Sequence, residues 1–418
     1  MTMEYGCIAE RLGHSFSKEI HARLADYSYE LRELTPTQVG PFLEARAFKG
    51  INVTIPYKQT VIPYLDEISE TARAIGAVNT IVNRDGKLYG DNTDFYGMKY
   101  LLRRQKINLQ DKKVLVLGTG GTSKTAVAVA THLGADSVAV VSRSAREGAI
   151  TYEDACLYHA DAEVIINTTP AGMYPAEDAL PYDMDLRRFP RLEGLLDAVY
   201  HPLRSELVLA ARARGINAVG GLTMLVVQAA VAAERFLGAP ISPEAVAAVD
   251  RDIHMSKENI VLIGMPGCGK SAVGSLLAQK YGRELIDTDA LIREMTGSTP
   301  AHIIESQGEA RFREIEAEAV AKASLYSGVV IATGGGAILR EENVRRLRRG
   351  GRLIFLDRPL DQLPVTDDRP LSADRERLAA RYAERYERYC AAAEARIAVV
   401  GDEVATAAQV AAAFEAMM

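Results

Sequence analysis

Two glycine-rich turns, each at the end of an apolar run, constrain this chain more than any other feature. The first is Gly118-Thr119-Gly120-Gly121-Thr122-Ser123, after Val114-Leu115-Val116-Leu117. The second is Gly264-Met265-Pro266-Gly267-Cys268-Gly269-Lys270-Ser271, after Ile260-Val261-Leu262-Ile263. A strand that runs through such a turn into a helix offers backbone N–H groups to phosphate oxygens. The first has the form of a dinucleotide turn, with Gly118, Gly120 and Gly121 allowing close backbone approach. The second has the spacing of a nucleoside triphosphate loop. There Gly264, Gly267 and Gly269 turn amides inward, Lys270 meets the β- and γ-phosphates, and Ser271 serves Mg²⁺. The chain therefore points to one redox step and one phosphoryl transfer.

The surroundings of the turns set the fold class, which is α/β. Tyr29 to Leu34 alternates like a half-buried strand, Ile51 to Ile55 is β-branched and stops at Pro56, and Asp85-Gly86 marks a hairpin between Val78–Val82 and Lys87–Tyr89. From residue 113 the pattern is strand, glycine turn, helix (Lys124 to Leu133), strand (Ser137 to Val141), with further strands expected at Glu163–Asn167 and Leu195–Asp197. That is a doubly wound, Rossmann-type pattern. Val226 to Leu237 reads as a helix. Asp250 to Glu258 is short and charged, and is taken as the junction. A second α/β pattern starts at Asn259, with strands at Val329–Ala332 and Leu353–Leu356 and helices at Glu341–Arg349 and Asp374–Ala395. The expected domains are a substrate-binding domain at 1–100 (with part of 222–250 packing back), a dinucleotide-binding domain at 101–250, and a P-loop kinase-like domain at 257–418. The run Arg345-Arg346-Leu347-Arg348-Arg349 reads as a solvated face at a helix C-terminus, where cations are favoured.

The net charge of −6 gives no reason to expect nucleic acid or an anionic membrane as partner. No apolar run reaches the ~20 residues of a membrane span. The four cysteines are scattered, without a CxxC or Cys/His cluster, so neither a zinc site nor a disulfide framework is indicated. A cytoplasmic enzyme acting on small molecules is expected, and its oligomeric state is left open.

In the second half, three features qualify the triphosphate loop. Asp287-Thr288-Asp289 follows the apolar pair Leu285-Ile286, so both carboxylates stand at the end of a strand. Gly308-Glu309-Ala310-Arg311-Phe312-Arg313-Glu314-Ile315-Glu316 puts Arg313 and Glu316 on one helical face. Thr333-Gly334-Gly335-Gly336 ends a strand and admits a ligand to the backbone. Singly, each has a plain structural reading as a capped turn, a surface ion pair or a loop. In this order and spacing, with Asp368-Arg369-Pro370-Leu371 and Arg385-x3-Tyr389, they resemble shikimate kinase over residues 259–418. The resemblance implies ATP and Mg²⁺ as cofactors and a set of roles. Asp287 joins Ser271 at the metal, and Asp289 binds the acceptor hydroxyls and accepts their proton. Arg313 and Arg385 clamp the acceptor carboxylate, Gly335 and Gly336 line the same pocket, and Arg369 closes over the transferring phosphoryl. Departures from that family are Ala272, the short segment Leu360–Asp368 where the lid begins, and Glu387-Arg388 before Tyr389.

In the first half, the position about 20 residues past the glycine turn carries Ser142-Arg143-Ser144, where an NAD site would offer an acid to the ribose hydroxyls. A cation between two hydroxyls suits a 2′-phosphate and so NADP(H). Upstream are His14-Ser15-Phe16-Ser17, Asn52-Val53-Thr54-Ile55-Pro56-Tyr57-Lys58, Gly76-Ala77-Val78-Asn79-Thr80 and Asp91-Asn92-Thr93-Asp94; downstream is Gly221-Leu222-Thr223-Met224-Leu225-Val226-Val227-Gln228. Individually these read as caps and loop residues. As a set they resemble shikimate dehydrogenase over residues 3–250. The resemblance implies that Lys58 and Asp94 are the catalytic pair and that Ser15, Ser17, Thr54, Asn79 and Gln228 bind the substrate, with Tyr200 nearby. Lys18, Ser142 and Phe95-Tyr96 depart from its pattern. The joint expectation is a bifunctional chain that reduces 3-dehydroshikimate to shikimate and phosphorylates shikimate to shikimate 3-phosphate. The alternatives are a first half that also oxidises quinate, and a half that is catalytically silent and regulatory.

Overall fold

The computed structural model describes residues 3–13, 15–364 and 374–418. His14 of the first motif and Asp368-Arg369-Pro370-Leu371 lie outside them. The chain divides into two compact units, Met1–Ile253 and His254–Met418.

The first unit contains two sheets. One is built from β1 (Tyr5–Ala9), β2 (Tyr29–Glu33), β3 (Gly50–Val53), β4 (Glu67–Ile68), β5 (Thr80–Arg84) and β6 (Lys87–Asp91), in the order β2-β1-β3-β5-β6-β4. The expected hairpin is present: β5 and β6 pair antiparallel, and Asp85 and Gly86 take φ of 52° and 82°. β3 ends at Val53, two residues before the expected end, because the chain turns at Thr54 and the Tyr57 N–H bonds to the Thr54 carbonyl (2.9 Å). The other sheet comprises β7 (Lys113–Leu117), β8 (Ser137–Ser142), β9 (Ile150–Thr151), β10 (Val164–Asn167), β11 (Gly194–Asp197) and β12 (Asn217–Val219). It is wholly parallel, ordered β12-β11-β10-β7-β8-β9. Its apolar runs are unbroken because both faces are covered. Val114 and Val116 enter one core with Val129 and Met98, while Leu115 and Leu117 enter another with Tyr152 and Leu207. β7 lies between β8 and β10, so the turn after β7 opens at the switch point where doubly wound sheets bind ligands.

The helix Leu222–Leu237 packs against the first sheet through Phe236, which shares a core with Tyr5 and Tyr29. After it comes a helix that the sequence pattern did not predict, Pro243–Lys257. Ser242 caps it (Ala245 N–H to Ser242 Oγ, 3.2 Å), and the charged segment read as a junction is its C-terminal half. Val249 and Ile253 join the first unit's core, and Asp250 is ion-paired to Arg104.

The second unit holds one parallel sheet of β13 (Asn259–Ile263), β14 (Leu285–Asp287), β15 (Val330–Ala332), β16 (Gly351–Asp357) and β17 (Ala395–Ala398), in the order β14-β15-β13-β16-β17. The central strand β13 again feeds the glycine loop. Two helices differ from expectation. The helix Arg375–Ala392 stops three residues early because Ala395–Ala398 pairs with β16. The arginine run sits on the helix Glu341–Gly350, but it is not a uniformly solvated face. Arg349 is buried, and Arg348 donates to the carbonyls of Ala391 and Ala392 (3.0 and 2.9 Å). Guanidinium groups there satisfy the open carbonyls at the end of the neighbouring helix. Among the described residues, no helix is long and apolar enough to cross a membrane.

Candidate active sites

In the first unit the catalytic candidates meet at a cleft beside the dinucleotide turn. Lys58 follows β3, and its carbonyl accepts from the Val78 N–H (2.7 Å), which ties it to the approach to β5. Asp94 opens the helix Asp94–Arg104 just after β6. The sheet pairing thus brings two sequence-distant groups together: Lys58 Nζ donates to Asp94 Oδ2 at 2.6 Å, and both side chains are nearly buried. A buried ion pair of this kind is maintained only where both charges are held by close geometry.

A polar network lies next to this pair. Asn79 Oδ1 accepts from the Thr93 N–H (2.6 Å), Thr93 Oγ1 donates to Gln228 Oε1 (3.3 Å), and Asn79 Nδ2 reaches the same oxygen (3.4 Å). Asn52, Thr80 and Tyr29 extend it inward. Among the described residues, Ser15 and Ser17 make no hydrogen bond to this network. They are linked to each other (Ser17 N–H to Ser15 Oγ, 3.3 Å), and Phe16 between them packs on Tyr200 at 5.3 Å. Burial pushes the Tyr200 phenol up to about 12. Thr54 is held by its N–H to the Ile8 carbonyl (3.1 Å).

The dinucleotide turn is the first turn of the helix Gly121–His132, which starts three residues earlier than expected. Gly118 has φ of 108°, and a Cβ there would lie 2.8 Å from Thr168 Oγ1. Only glycine meets both demands. The cleft encloses about 1020 Å³ and is lined by Lys58, the turn, and Ser142-Arg143-Ser144. Arg143 stands near Tyr152, whose phenol burial pushes up to about 12 against the pull of that guanidinium. Sequence reasoning missed three contributors. Arg146 donates to Thr119 Oγ1 (3.0 Å) over the turn, and Thr168 and Thr169 wall it from β10. A basic residue three positions past Arg143 was the available signal for the first. The threonines carry no motif of their own.

In the second unit, Gly269 takes φ of 99° and caps the helix Lys270–Tyr281. Lys270 is buried and donates to the carbonyls of Gly264 and Met265, each at 2.9 Å. Ser271 Oγ donates to Asp287 Oδ2 (2.6 Å), while Asp287 Oδ1 caps the helix Thr288–Thr296 through the Asp289 and Ala290 N–H groups. This oxygen pair fits a hard divalent cation, which takes few protein ligands and completes its shell with phosphate and water. Among the described residues, no group of three or more His, Cys, Asp or Glu could hold a metal by itself.

Asp289, Arg313, Arg385 and the triple glycine are brought close together. A Cβ on Gly334 would meet Glu316 Oε1 at 2.8 Å and Asp289 Oδ1 at 3.0 Å; one on Gly336 would overlap Arg313 Nη1 at 1.8 Å. The Gly335 carbonyl accepts from Arg385 Nη1 (3.2 Å) and from the Tyr389 hydroxyl (2.5 Å). Arg313 is bonded to Glu316 (2.7 Å) and Glu309 (2.8 Å), so the expected pairing on one helical face is real and partly buried. Burial raises the Glu316 carboxyl above its ordinary range, opposed by Arg313 and reinforced by Asp289. Among the described residues, Glu316 Oε1 and Arg385 Nε are buried without a hydrogen-bond partner. Such orphaned groups are costly unless a ligand completes them. Arg369 lies outside the described residues.

These features define a dinucleotide-dependent dehydrogenase joined to a P-loop kinase. The shikimate kinase family model matches residues 266–417, and that of the shikimate dehydrogenase substrate binding domain matches residues 7–81. A shikimate dehydrogenase (NADP(+)) of Clostridium beijerinckii is 37% identical over 247 residues, covering 55% of this chain and 90% of that protein. The solved chorismate mutase/shikimate 5-dehydrogenase fusion protein of Clostridium acetobutylicum is 32% identical with a TM-score of 0.57, over 60% of this chain and 97% of the other. A shikimate 5-dehydrogenase of Thermus thermophilus, solved in complex with NADP(H) and shikimate, is 29% identical with a TM-score of 0.54, over 60% of this chain and 99% of the other. The chain belongs to the shikimate dehydrogenase family and carries a shikimate kinase domain after it.

Proposed function

We propose that this chain catalyses two consecutive reactions, the NADPH-dependent reduction of 3-dehydroshikimate to shikimate and the ATP-dependent phosphorylation of shikimate to shikimate 3-phosphate. The observation that carries this reading is that each half keeps its reacting groups assembled: Lys58 against Asp94 at 2.6 Å, and Lys270 and Asp287 at the glycine loop, with Asp289 beside the triple glycine that Arg313 and Arg385 also touch.

In the first unit, bound NADPH supplies the hydride. Lys58 gives a proton and positive charge to the oxygen of the former ketone, and Asp94 holds the ammonium in place. Asn79, Gln228, Thr54, Ser15, Ser17 and Tyr200 bind the substrate's hydroxyls and carboxylate. Arg143, between Ser142 and Ser144, neutralises the 2′-phosphate, with Arg146 beside it.

In the second unit, ATP supplies the phosphoryl group and Mg²⁺ its charge neutralisation, with Ser271 and Asp287 as the residues that would hold the ion. The amides of Gly264, Gly267 and Gly269 cradle the phosphates and Lys270 balances their charge. Asp289 orients the acceptor hydroxyl and takes its proton. Arg313 and Arg385 hold the acceptor carboxylate beside Gly335 and Gly336, and Arg369 balances charge on the transferring group. Phosphoryl transfer asks mainly for this positioning and neutralisation.

The test is one coupled reaction with 3-dehydroshikimate, NADPH, ATP and Mg²⁺, scored for shikimate 3-phosphate. Formation of shikimate alone would show that the kinase half is silent. NADPH left unconsumed would overturn the reductase assignment.

A further inference from the structure

The proposed acceptor site of the second unit includes, through a shared carboxylate, a cation that the reaction scheme above does not use. Arg381 lies on the helix Arg375–Ala392, one turn before Arg385, and its Nη2 is 3.5 Å from Glu309 Oε2. The other oxygen of Glu309 accepts from Arg313 Nη2 at 2.8 Å. One carboxylate thus spans two guanidinium groups from different helices. Burial lowers the Arg385 guanidinium below its ordinary range, and the nearby charges of Arg381 and Arg313 lower it further. The Arg385 Nε, buried and without a partner among the described residues, adds a donor to the same cluster.

The two glutamates that hold Arg313 differ in kind. Glu316 is 2% exposed and fixed, whereas Glu309 is 42% exposed. Glu309 also directly follows Gly308, where the helix Pro300–Ser324 breaks its helical dihedrals (φ 86°, ψ 162°). It is therefore the partner free to move at a point where the backbone is already interrupted. A carboxylate bridging two arginines is also the chemistry an incoming carboxylate acceptor would bring.

We propose that Glu309 is the resident counter-ion of the acceptor site. It holds Arg313 and Arg381 in the place of the acceptor carboxylate and swings out when the acceptor binds. Arg381 then joins Arg313 and Arg385 as a third ligand. This inference rests on the shikimate kinase reading of the same site.

The experiment uses the full chain without NADP(H), so that only ADP release is read, and determines KM for shikimate and for ATP. Glu309→Gln removes the competing charge and lowers KM for shikimate about two- to five-fold, the worth of one partly exposed ion pair. Arg381→Met raises that KM about ten-fold, the worth of a charged hydrogen bond. Neither change moves KM for ATP, and neither moves KM for the methyl ester of shikimate, which lacks the acceptor charge. A higher KM for shikimate in Glu309→Gln would overturn the proposal, because Glu309 would then be positioning Arg313 instead of competing for it. An unchanged KM in Arg381→Met would overturn it too. If the wild-type chain does not phosphorylate shikimate at all, the kinase reading itself fails, an outcome neither variant can imitate.

Discussion

Gly121 of the dinucleotide turn lies directly against Lys58: a Cβ at 121 would stand 3.3 Å from Lys58 Cδ and 3.4 Å from Lys58 Cβ. The cofactor turn and the proposed proton donor therefore share a surface, and a side chain added to the turn presses on the lysine stem. Gly121→Val is expected to reduce kcat for dehydroshikimate reduction about ten-fold or more, since misplacing a catalytic group by about 1 Å is costly. Phosphorylation of shikimate by the same preparation should be unaffected. A variant with normal reduction would show that Lys58 is not held by this contact.

Lys58→Ala should cost reduction about 10²- to 10⁴-fold, the usual range for a lost general acid. It should leave the ATP-dependent half intact. Comparable loss of both activities in a folded protein would contradict separate sites.

Arg143→Ala should raise KM for NADP far more than for NAD, because only the former carries the 2′-phosphate. The loss of one charged contact is worth ~1.5–3 kcal/mol. Equal use of NAD and NADP by the wild type would remove the basis for this assignment. Arg146→Ala is expected to shift KM in the same direction by less, since Arg146 is engaged with Thr119.

Gly336→Ala should act on the acceptor and not on the nucleotide. The new methyl would fall 1.8 Å from Arg313 Nη1 and 2.4 Å from its Cζ, so the guanidinium must leave its place. KM for shikimate should rise about ten-fold or more with KM for ATP little changed, because a charged contact is lost. A rise in KM for ATP alone would place Arg313 in the wrong pocket.

Asp197 supplies a pH-dependent test. It is wholly buried at the end of β11, and burial pushes its carboxyl up to about 6 against hydrogen bonds from Ser205, the Val199 N–H and Asn167. A group raised in the folded state contributes stability that is fully present below its unfolded value and lost as pH rises through the folded one. Relative to Asp197→Asn, the wild type should therefore gain resistance to urea as pH falls from 6 to 4, by about 1.4 kcal/mol per pH unit at most. The midpoint for loss of reductase activity measures this. A difference between the two proteins that stays flat across that range would sink the prediction.

Much of this was legible in the sequence because phosphate loops and buried parallel strands leave strong local signals. Val114 to Leu117 must be buried on both faces to be apolar throughout, and the glycines after them fix where the ligand enters. The reacting pair was legible only through resemblance, since no local rule links Lys58 to Asp94; strand pairing does. Besides Arg146, Thr168 and Thr169, three further features escape. The helix Pro243–Lys257 was hidden by its charged C-terminal half, which resembles a linker in composition. Arg349 escapes because a charge run usually forms a solvated face, yet its helix end lies against another element. Arg381 and Glu309 had no reading of their own, because a pairing between two helices does not follow from spacing within either.

The helix Pro243–Lys257 has a consequence for anyone who would take this protein apart. Its first residues belong to the reductase, through Val249, Asp250 and Ile253. Its last belong to the kinase: Arg283 bonds the carbonyls of Met255 and Glu258, and Gly328 N–H bonds that of Lys257. A gene for the kinase alone would thus begin in mid-helix, and its opening turn would carry amides with nothing to accept from them. Such a fragment needs a start codon followed by a new capping serine or aspartate ahead of His254, and without one its first strand would inherit a fraying neighbour.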